Sequence, residues 1–174
     1  PTITAMSDIP QNVDAGNCTA VVTWVAPTAA DNCTTISSFT SNYNSGHAFP
    51  VGTTTVTYTA IDAANNTTTE SFDVVISDNE NPVISGMPTD ISVNTDAGLC
   101  TAAVSWTAPT AADNCGVTSF TSNYSPGDAF NTGAPTTVTY TATDAAGNTV
   151  SSSFTVTVTD NQAPQIPVIA NITQ

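Results

Sequence analysis

The chain contains nearly the same sequence twice, so whatever fold it takes must be one that about half of its 174 residues can form and then form again. APTAADNC stands at 26–33 and again, unchanged, at 108–115. SFTSNY at 38–43 returns at 119–124, and residues 54–67 (TTVTYTAIDAANNT) are answered by residues 136–149 (TTVTYTATDAAGNT). Cys18 meets its counterpart at Cys100, 82 positions on; a slip of one residue opens between Cys33 and Val56 and is closed again by Val138. Copy one is assigned to residues 1–81, copy two to 82–163, and 164–174 to the opening of a third copy. Pro1-Thr2-Ile3 resembles the latter half of another such junction, and the absence of a starting Met marks a mature or trimmed segment.

Within each copy the apolar residues alternate with period two. Ala102, Val104 and Trp106 share one side, as do Val138, Tyr140 and Ala142, and then Phe154, Val156 and Val158. Thr, about a fifth of the chain, occupies much of the opposite side. One apolar face per strand is the mark of half-buried antiparallel strands, and branched side chains suit that surface. No amphipathic helix is present in the pattern. Several such strands in about 80 residues predict an all-β fold of tandem immunoglobulin-like antiparallel β-sandwiches, with Trp24 and Trp106 anchoring the two cores. At the turn 62–66, Asn65 stands where copy two has Gly147, which predicts a left-handed backbone position.

A sandwich this small gains from a staple. Four Cys allow three pairings, and their repeated spacing predicts Cys18 with Cys33 and Cys100 with Cys115. Closing a loop of about 15 residues contributes on the order of 3 kcal/mol in the chain-entropy account. An even Cys count without a paired-thiol metal motif points to an oxidising, extracellular or cell-surface setting. His47 has Asp128 as its counterpart and is read as loop rather than ligand.

These residues resemble the hyalin repeat (HYR) domain, an immunoglobulin-like module. The resemblance is carried by the Asp-Asn-Cys triplets ending at Cys33 and Cys115, the segments 56–67 and 138–149, and the strand of Phe72, Val74 and Ile76 (Phe154, Val156 and Val158 in copy two) that leads to an acidic junction before proline. It covers nearly the whole length of both copies. It implies adhesion or spacing rather than a reaction, in secreted and surface proteins. Bacterial members occur in very large cell-surface adhesins, including those of gliding motility, and in surface filaments, and the resemblance implies that this chain is a segment of such a large bacterial protein. Many hyalin repeats carry more cysteines, so one bridge per copy is what the resemblance implies here.

The junctions SDNENP (77–82) and TDNQAP (159–164) also look like the calcium-holding linkers of cadherin-type arrays. Calcium takes six to eight oxygens, and Asp, Asn and Glu supply them. The candidate set at the first junction is Asp78, Asn79 and Glu80 with Asp62 and Asn66 of the preceding turn. At the second it is Asp160 and Asn161 with Asp144 and Asn148. The competing reading is an Asx turn ahead of a φ-restricting proline, and both readings stand on sequence alone. Asp31 and Asp113, beside the cysteines, are read as turn formers.

Charge narrows the function classes further. The chain carries 14 Asp and Glu and no Lys or Arg, for a net charge of −14. Nucleic acid and anionic membrane surfaces both recruit basic side chains and are not expected as partners, and no apolar run is long enough for membrane insertion. No nucleophile–base pair or phosphate-cradling loop is present, so no enzyme is expected. The reading is a structural repeat segment of an extracellular stalk, filament or adhesin, with calcium as the one cofactor considered. Its partners are neighbouring repeats, with other protein subunits or surface glycans as further candidates. The alternative is a carbohydrate-binding accessory module, for which Tyr43 and Tyr124 are the candidate stacking residues.

Overall fold

The computed structural model of the chain describes residues 1–164, so that 165–174, where most of the third copy was expected, lies outside the described residues. Contacts divide the chain into two compact units. The first comprises Pro1–Asn81 together with two short segments from copy two, Asp113–Gly116 and Asp144–Asn148; the second comprises Pro82–Ala112, Val117–Thr143 and the described residues from Thr149 on.

All described secondary structure is β. Copy one supplies β1 (Thr2–Ile3), β2 (Ile9–Asn12), β3 (Thr19–Val22), β4 (Ala29–Ala30), β5 (Ile36–Ser41), β6 (His47–Pro50), β7 (Gly52–Asp62) and β8 (Thr67–Ser77). Copy two supplies β9 (Val83–Ser85), β10 (Ile91–Asn94), β11 (Thr101–Ala103), β12 (Thr110–Ala112), β13 (Val117–Ser122), β14 (Ala129–Asn131), β15 (Thr136–Asp144) and β16 (Thr149–Thr159). In each copy a four-stranded sheet, β2-β8-β7-β5 or β10-β16-β15-β13, is accompanied by two strand pairs, β1-β4 and β3-β6 or β9-β12 and β11-β14. These are tandem immunoglobulin-like sandwiches. One pairing in each copy departs from antiparallel: β2 runs parallel to β8, and β10 parallel to β16. Backbone N–H of Asp73 and Thr155 donate to the carboxylates of Asp8 (2.8 Å) and Asp90 (2.7 Å), pinning the entry to each parallel strand.

The alternation does what the pattern predicts. Val56, Tyr58 and Ala60 of β7 and Phe72, Val74 and Ile76 of β8 point inward against Val22 and Phe49 of the β3-β6 pair. Each fully buried side chain of this kind contributes about 1.5–3 kcal/mol. Val138, Tyr140, Phe154 and Val156 build the second core with Ala102, Val104 and Phe130. Trp24 packs edge-on to Phe72, with ring centroids 5.5 Å apart, and donates its indole N–H to Tyr58 Oη at 2.8 Å. Trp106 does the same with Phe154 (5.3 Å) and Tyr140 (2.9 Å). The hydroxyl that makes Tyr rather than Phe useful in a core strand is thus the acceptor for a half-buried indole.

The extra residue that copy one carries between Cys33 and Phe39 is absorbed in the β5–β7 ladder. The register shifts between Ile36 and Ser38, leaving Ser37 bulged, and its hydroxyl donates to the carbonyls of Ile61 and Asp62.

The cysteine pairing differs from the expected one. Cys18 is bonded to Cys115, 97 residues away with Cα atoms 4.8 Å apart, while Cys33 and Cys100 are free and exposed. The reason lies in the length of β7 and β8. Each has 11 residues, so the two ends of the sheet are separated by about 35 Å at about 3.3 Å per residue. Cys18 lies at one end, where Val13 N–H bonds Ser77 O and Asp14 N–H bonds Thr19 O. Cys33 lies at the other, where Ala63 N–H bonds Thr35 O and Ile36 pairs with Asp62. A disulfide spans only about 4.4–6.8 Å between Cα atoms, so Cys18 and Cys33 of one sandwich are out of reach. Copy two has the same topology, which separates Cys100 from Cys115 for the same reason.

Candidate metal centre

The hairpin turns Asp62–Asn66 and Asp144–Asn148 are built alike. Asp62 Oδ1 accepts the backbone N–H of Ala64 (2.8 Å) and Asn66 (2.9 Å), and Oδ2 accepts the Asn66 side-chain amide at 2.8 Å. Asp144 Oδ1 accepts from Gly147 (2.7 Å) and Asn148 (2.8 Å), and Oδ2 from the Asn148 amide at 2.8 Å. The Asn66 amide, chief among these donors, holds the Asp62 carboxyl below its ordinary range against the opposing effect of burial. At Asp144 burial is the largest influence and pushes the carboxyl up, but the combined hydrogen bonds from Asn148, Gly147 and Ala146 outweigh it and leave it lowered. These aspartates are therefore buried ions held by turns, 2% and 3% exposed respectively.

The junction residues have local duties too. Asp78 Oδ1 accepts Glu80 N–H at 3.1 Å, and Asp160 Oδ1 accepts Gln162 N–H at 2.9 Å, the Asx turns that competed with the metal reading. Glu80 Oε1 accepts Gly16 N–H and Gln162 Oε1 accepts Gly98 N–H, both at 2.9 Å. Glu and Gln both supply the oxygen that this glycine N–H requires, and the Gln162 amide also donates to Asp96 O (2.8 Å) and Thr95 Oγ1 (3.0 Å). Asn79 and Asn161 are exposed.

The ligand sets drawn from the sequence are regrouped by the fold. Asp62 and Asn66 do not approach Asp78, since β7 and β8 pair from Gly52↔Ile76 at one end to Ile61↔Thr67 at the other. Asp144 and Asn148 are kept from Asp160 and Asn161 in the same way by β15 and β16. The first compact unit instead gathers Asp78, Asp113 and Asp144, one carboxylate oxygen from each lying within 4.8 Å of the others. Asn148 joins them by donating its amide to Asp78 O at 3.3 Å. Asp113 was read as a turn former, and its Oδ2 does accept Cys115 N–H at 2.8 Å. Its nearness to Asp78 carries no local signal, because the two lie 35 positions apart in the chain; the recurrence of Asp-Asn-Cys once per repeat was the one available pointer.

Three buried oxygens in this cluster lack a hydrogen-bond donor: Asp78 Oδ2, Asp113 Oδ1 and Asn114 Oδ1. Asp78 is only 8% exposed. The Asn114 amide nitrogen is turned to Asn17 O (2.8 Å) and lies 3.5 Å from Asp78 Oδ1, which leaves its oxygen as the free end. Unsatisfied buried acceptors beside converging carboxylates are costly unless a cation meets them. The chain has no Lys or Arg to do so. Asp31 serves its own turn, accepting the backbone N–H of Cys33 (3.0 Å) and Thr34 (2.8 Å). Two oxygens bound to one calcium at 2.3–2.6 Å can be at most about 5.2 Å apart, so the spacing fits an oxygen-ligated divalent cation.

The aromatic candidates for sugar stacking are half-buried against their cores. Tyr43 packs on Phe49 and Tyr124 on Phe130, with centroids 5.2 and 4.8 Å apart.

The fold and repeat together define a tandem array of immunoglobulin-like modules. The HYR domain profile matches residues 1–76 and 77–158, and the chain belongs to that family. It is similar to hyalin of Strongylocentrotus purpuratus, 37% identical over 180 residues, covering 100% of this chain and 15% of that protein. Hyalin of Lytechinus variegatus is 37% identical over 174 residues, with 97% of this chain and 33% of that protein covered. A sushi, von Willebrand factor type A, EGF and pentraxin domain-containing protein of Rattus norvegicus is 35% identical over 153 residues, 85% of this chain and 4% of its own length. The chain thus spans a third or less of the curated relatives it matches, and these relatives, being animal, lend no support to a bacterial source. Among solved structures, protocadherin gamma C5 is similar in fold over 88% of this chain and 66% of that one, at 15% identity and a TM-score of 0.36. The chain is a tandem HYR repeat of the extracellular or cell-surface kind.

Proposed function

We propose that the chain is a structural repeat segment of an extracellular stalk, filament or adhesin, and that calcium stiffens it by binding Asp78, Asp113 and Asp144 with the Asn114 side-chain oxygen. The observation that carries this reading is the trio of buried oxygens without donors in an acidic cluster of a chain without basic side chains. The role is mechanical, in that each repeat acts on its neighbours and the array supplies reach and display. The partners are neighbouring repeats, with protein subunits or surface glycans at the target end. Calcium draws segments of both copies into one compact unit and neutralises carboxylates that otherwise repel.

Thermal unfolding with calcium and with a chelator tests this. A ligand at 100 times its dissociation constant stabilises by about 2.7 kcal/mol, so the midpoint rises clearly with calcium and small-angle scattering reports a narrower range of shapes. Asp113→Asn abolishes the calcium-induced rise while the apo protein stays folded. Identical unfolding curves and scattering profiles with and without calcium would overturn the reading.

A further inference from the structure

We propose that Cys33 and Cys100 are the two halves of a disulfide that recurs once per repeat, each bonding a neighbouring HYR repeat in the way Cys18 bonds Cys115. Cys100 takes as its partner an Asp-Asn-Cys loop on a further HYR repeat, and Cys33 is such a loop awaiting its own Cys18-like partner. This goes beyond the calcium reading and does not depend on it.

The repeat equivalence is structural as well as sequential. Asp14 N–H bonds Thr19 O, Asn17 N–H bonds Asp14 O, and Asp14 Oδ2 accepts Val21 N–H at 2.9 Å; around Cys100, Asp96 N–H bonds Thr101 O, Leu99 N–H bonds Asp96 O, and Asp96 Oδ2 accepts Ala103 N–H at 3.0 Å. The loop before Cys100 is therefore held in the conformation in which Cys18 is bonded. Cys33 N–H is accepted by Asp31 at 3.0 Å, as Cys115 N–H is by Asp113 at 2.8 Å. Each free thiol thus sits in the frame of a bonded mate. The contact that accompanies the existing bond also transfers, because Asn114 donates to a backbone carbonyl, that of Asn17, and Leu99 offers the same group beside Cys100. Leu99 is a large apolar side chain left 55% exposed where copy one has Asn17, and an incoming loop would cover it. Both thiols are exposed, as attack on a disulfide requires.

Bond formation removes two protons and two electrons from the paired thiols. A small-molecule disulfide takes them up and leaves as two thiols. The partner repeat can belong to the same polypeptide or to a second copy of this chain, and two arms separate these sources. In the first, the 174-residue chain is oxidised with a small-molecule disulfide after mixing isotopically labelled and unlabelled protein. Head-to-tail oligomers joined by Cys33–Cys100 peptides of mixed label are expected, and Cys33→Ser or Cys100→Ser each removes the ladder while leaving the Cys18–Cys115 bond. In the second arm, the chain is lengthened by one further copy of its repeat, and Cys100 is expected to bond the added Asp-Asn-Cys loop within the polypeptide. Bonds of Cys33 to Cys33 and Cys100 to Cys100 in equal yield, a Cys33–Cys100 bond within one molecule, or thiols that stay free in both arms would overturn the proposal. Running both arms in calcium and in chelator separates this outcome from that of the calcium reading.

Discussion

At the residue scale, most acidic side chains are turn and strand acceptors first. Asp62, Asp90 and Asp144 each take backbone N–H donors, and their carboxyls are held below the ordinary value of 3.8. A carboxylate depressed in the folded state binds fewer protons than in the unfolded chain, so its contribution is fully present above about pH 4 and is lost as pH falls through the depressed value. Asp62→Asn is expected to lower the urea midpoint at pH 7, and the gap from the unaltered protein should narrow towards pH 2.5. A gap of the same size at both pH values would remove the ionised turn aspartate from the account. The same scale explains the paired Trp and Tyr, whose positions the alternation placed inward and whose hydrogen bond only the packed core disclosed.

At the element scale, the two copies can be compared strand by strand. The hairpin turn needs a left-handed residue, and the backbone confirms it, with φ of 67° at Asn65 and 93° at Gly147. No atom crowds a Cβ added at Gly147, so the effect of substitution is conformational rather than steric. Gly147→Ala is expected to destabilise by about 1 kcal/mol and Asn65→Gly to change stability by a few tenths, as read by denaturant unfolding. Equal effects at the two positions would contradict a φ-based origin. The one-residue slip in the repeat spacing was visible in the sequence as a mismatch. Its meaning, a bulge at Ser37 bonded to Ile61 and Asp62, required the β5–β7 register.

At the scale of the whole molecule, the cross-link closes a far longer loop than the spacing of the cysteines predicts. A separation of 97 residues corresponds to about 4.7 kcal/mol in the chain-entropy account, against about 3 for a loop of 15. Reduction, or Cys18→Ser, should therefore lower the unfolding midpoint strongly, whereas Cys33→Ser should leave the stability of the monomer nearly unchanged. A midpoint indifferent to reductant, or equal losses from both variants, would show the bond to be energetically idle.

What this sequence determined unaided is the repeat, the strands and the face each residue presents, because alternation and turn chemistry are local and were written twice. The tertiary structure alone decided which end of each sandwich a loop occupies. That choice follows from the sheet order and from strands of 11 residues that hold their ends about 35 Å apart. It moved the partners of Cys18 and of Asp78 one copy along the chain, from Cys33 and Asp62 to Cys115, Asp113 and Asp144. Periodicity reports a face and never an end, and both the disulfide and the acidic cluster are properties of ends.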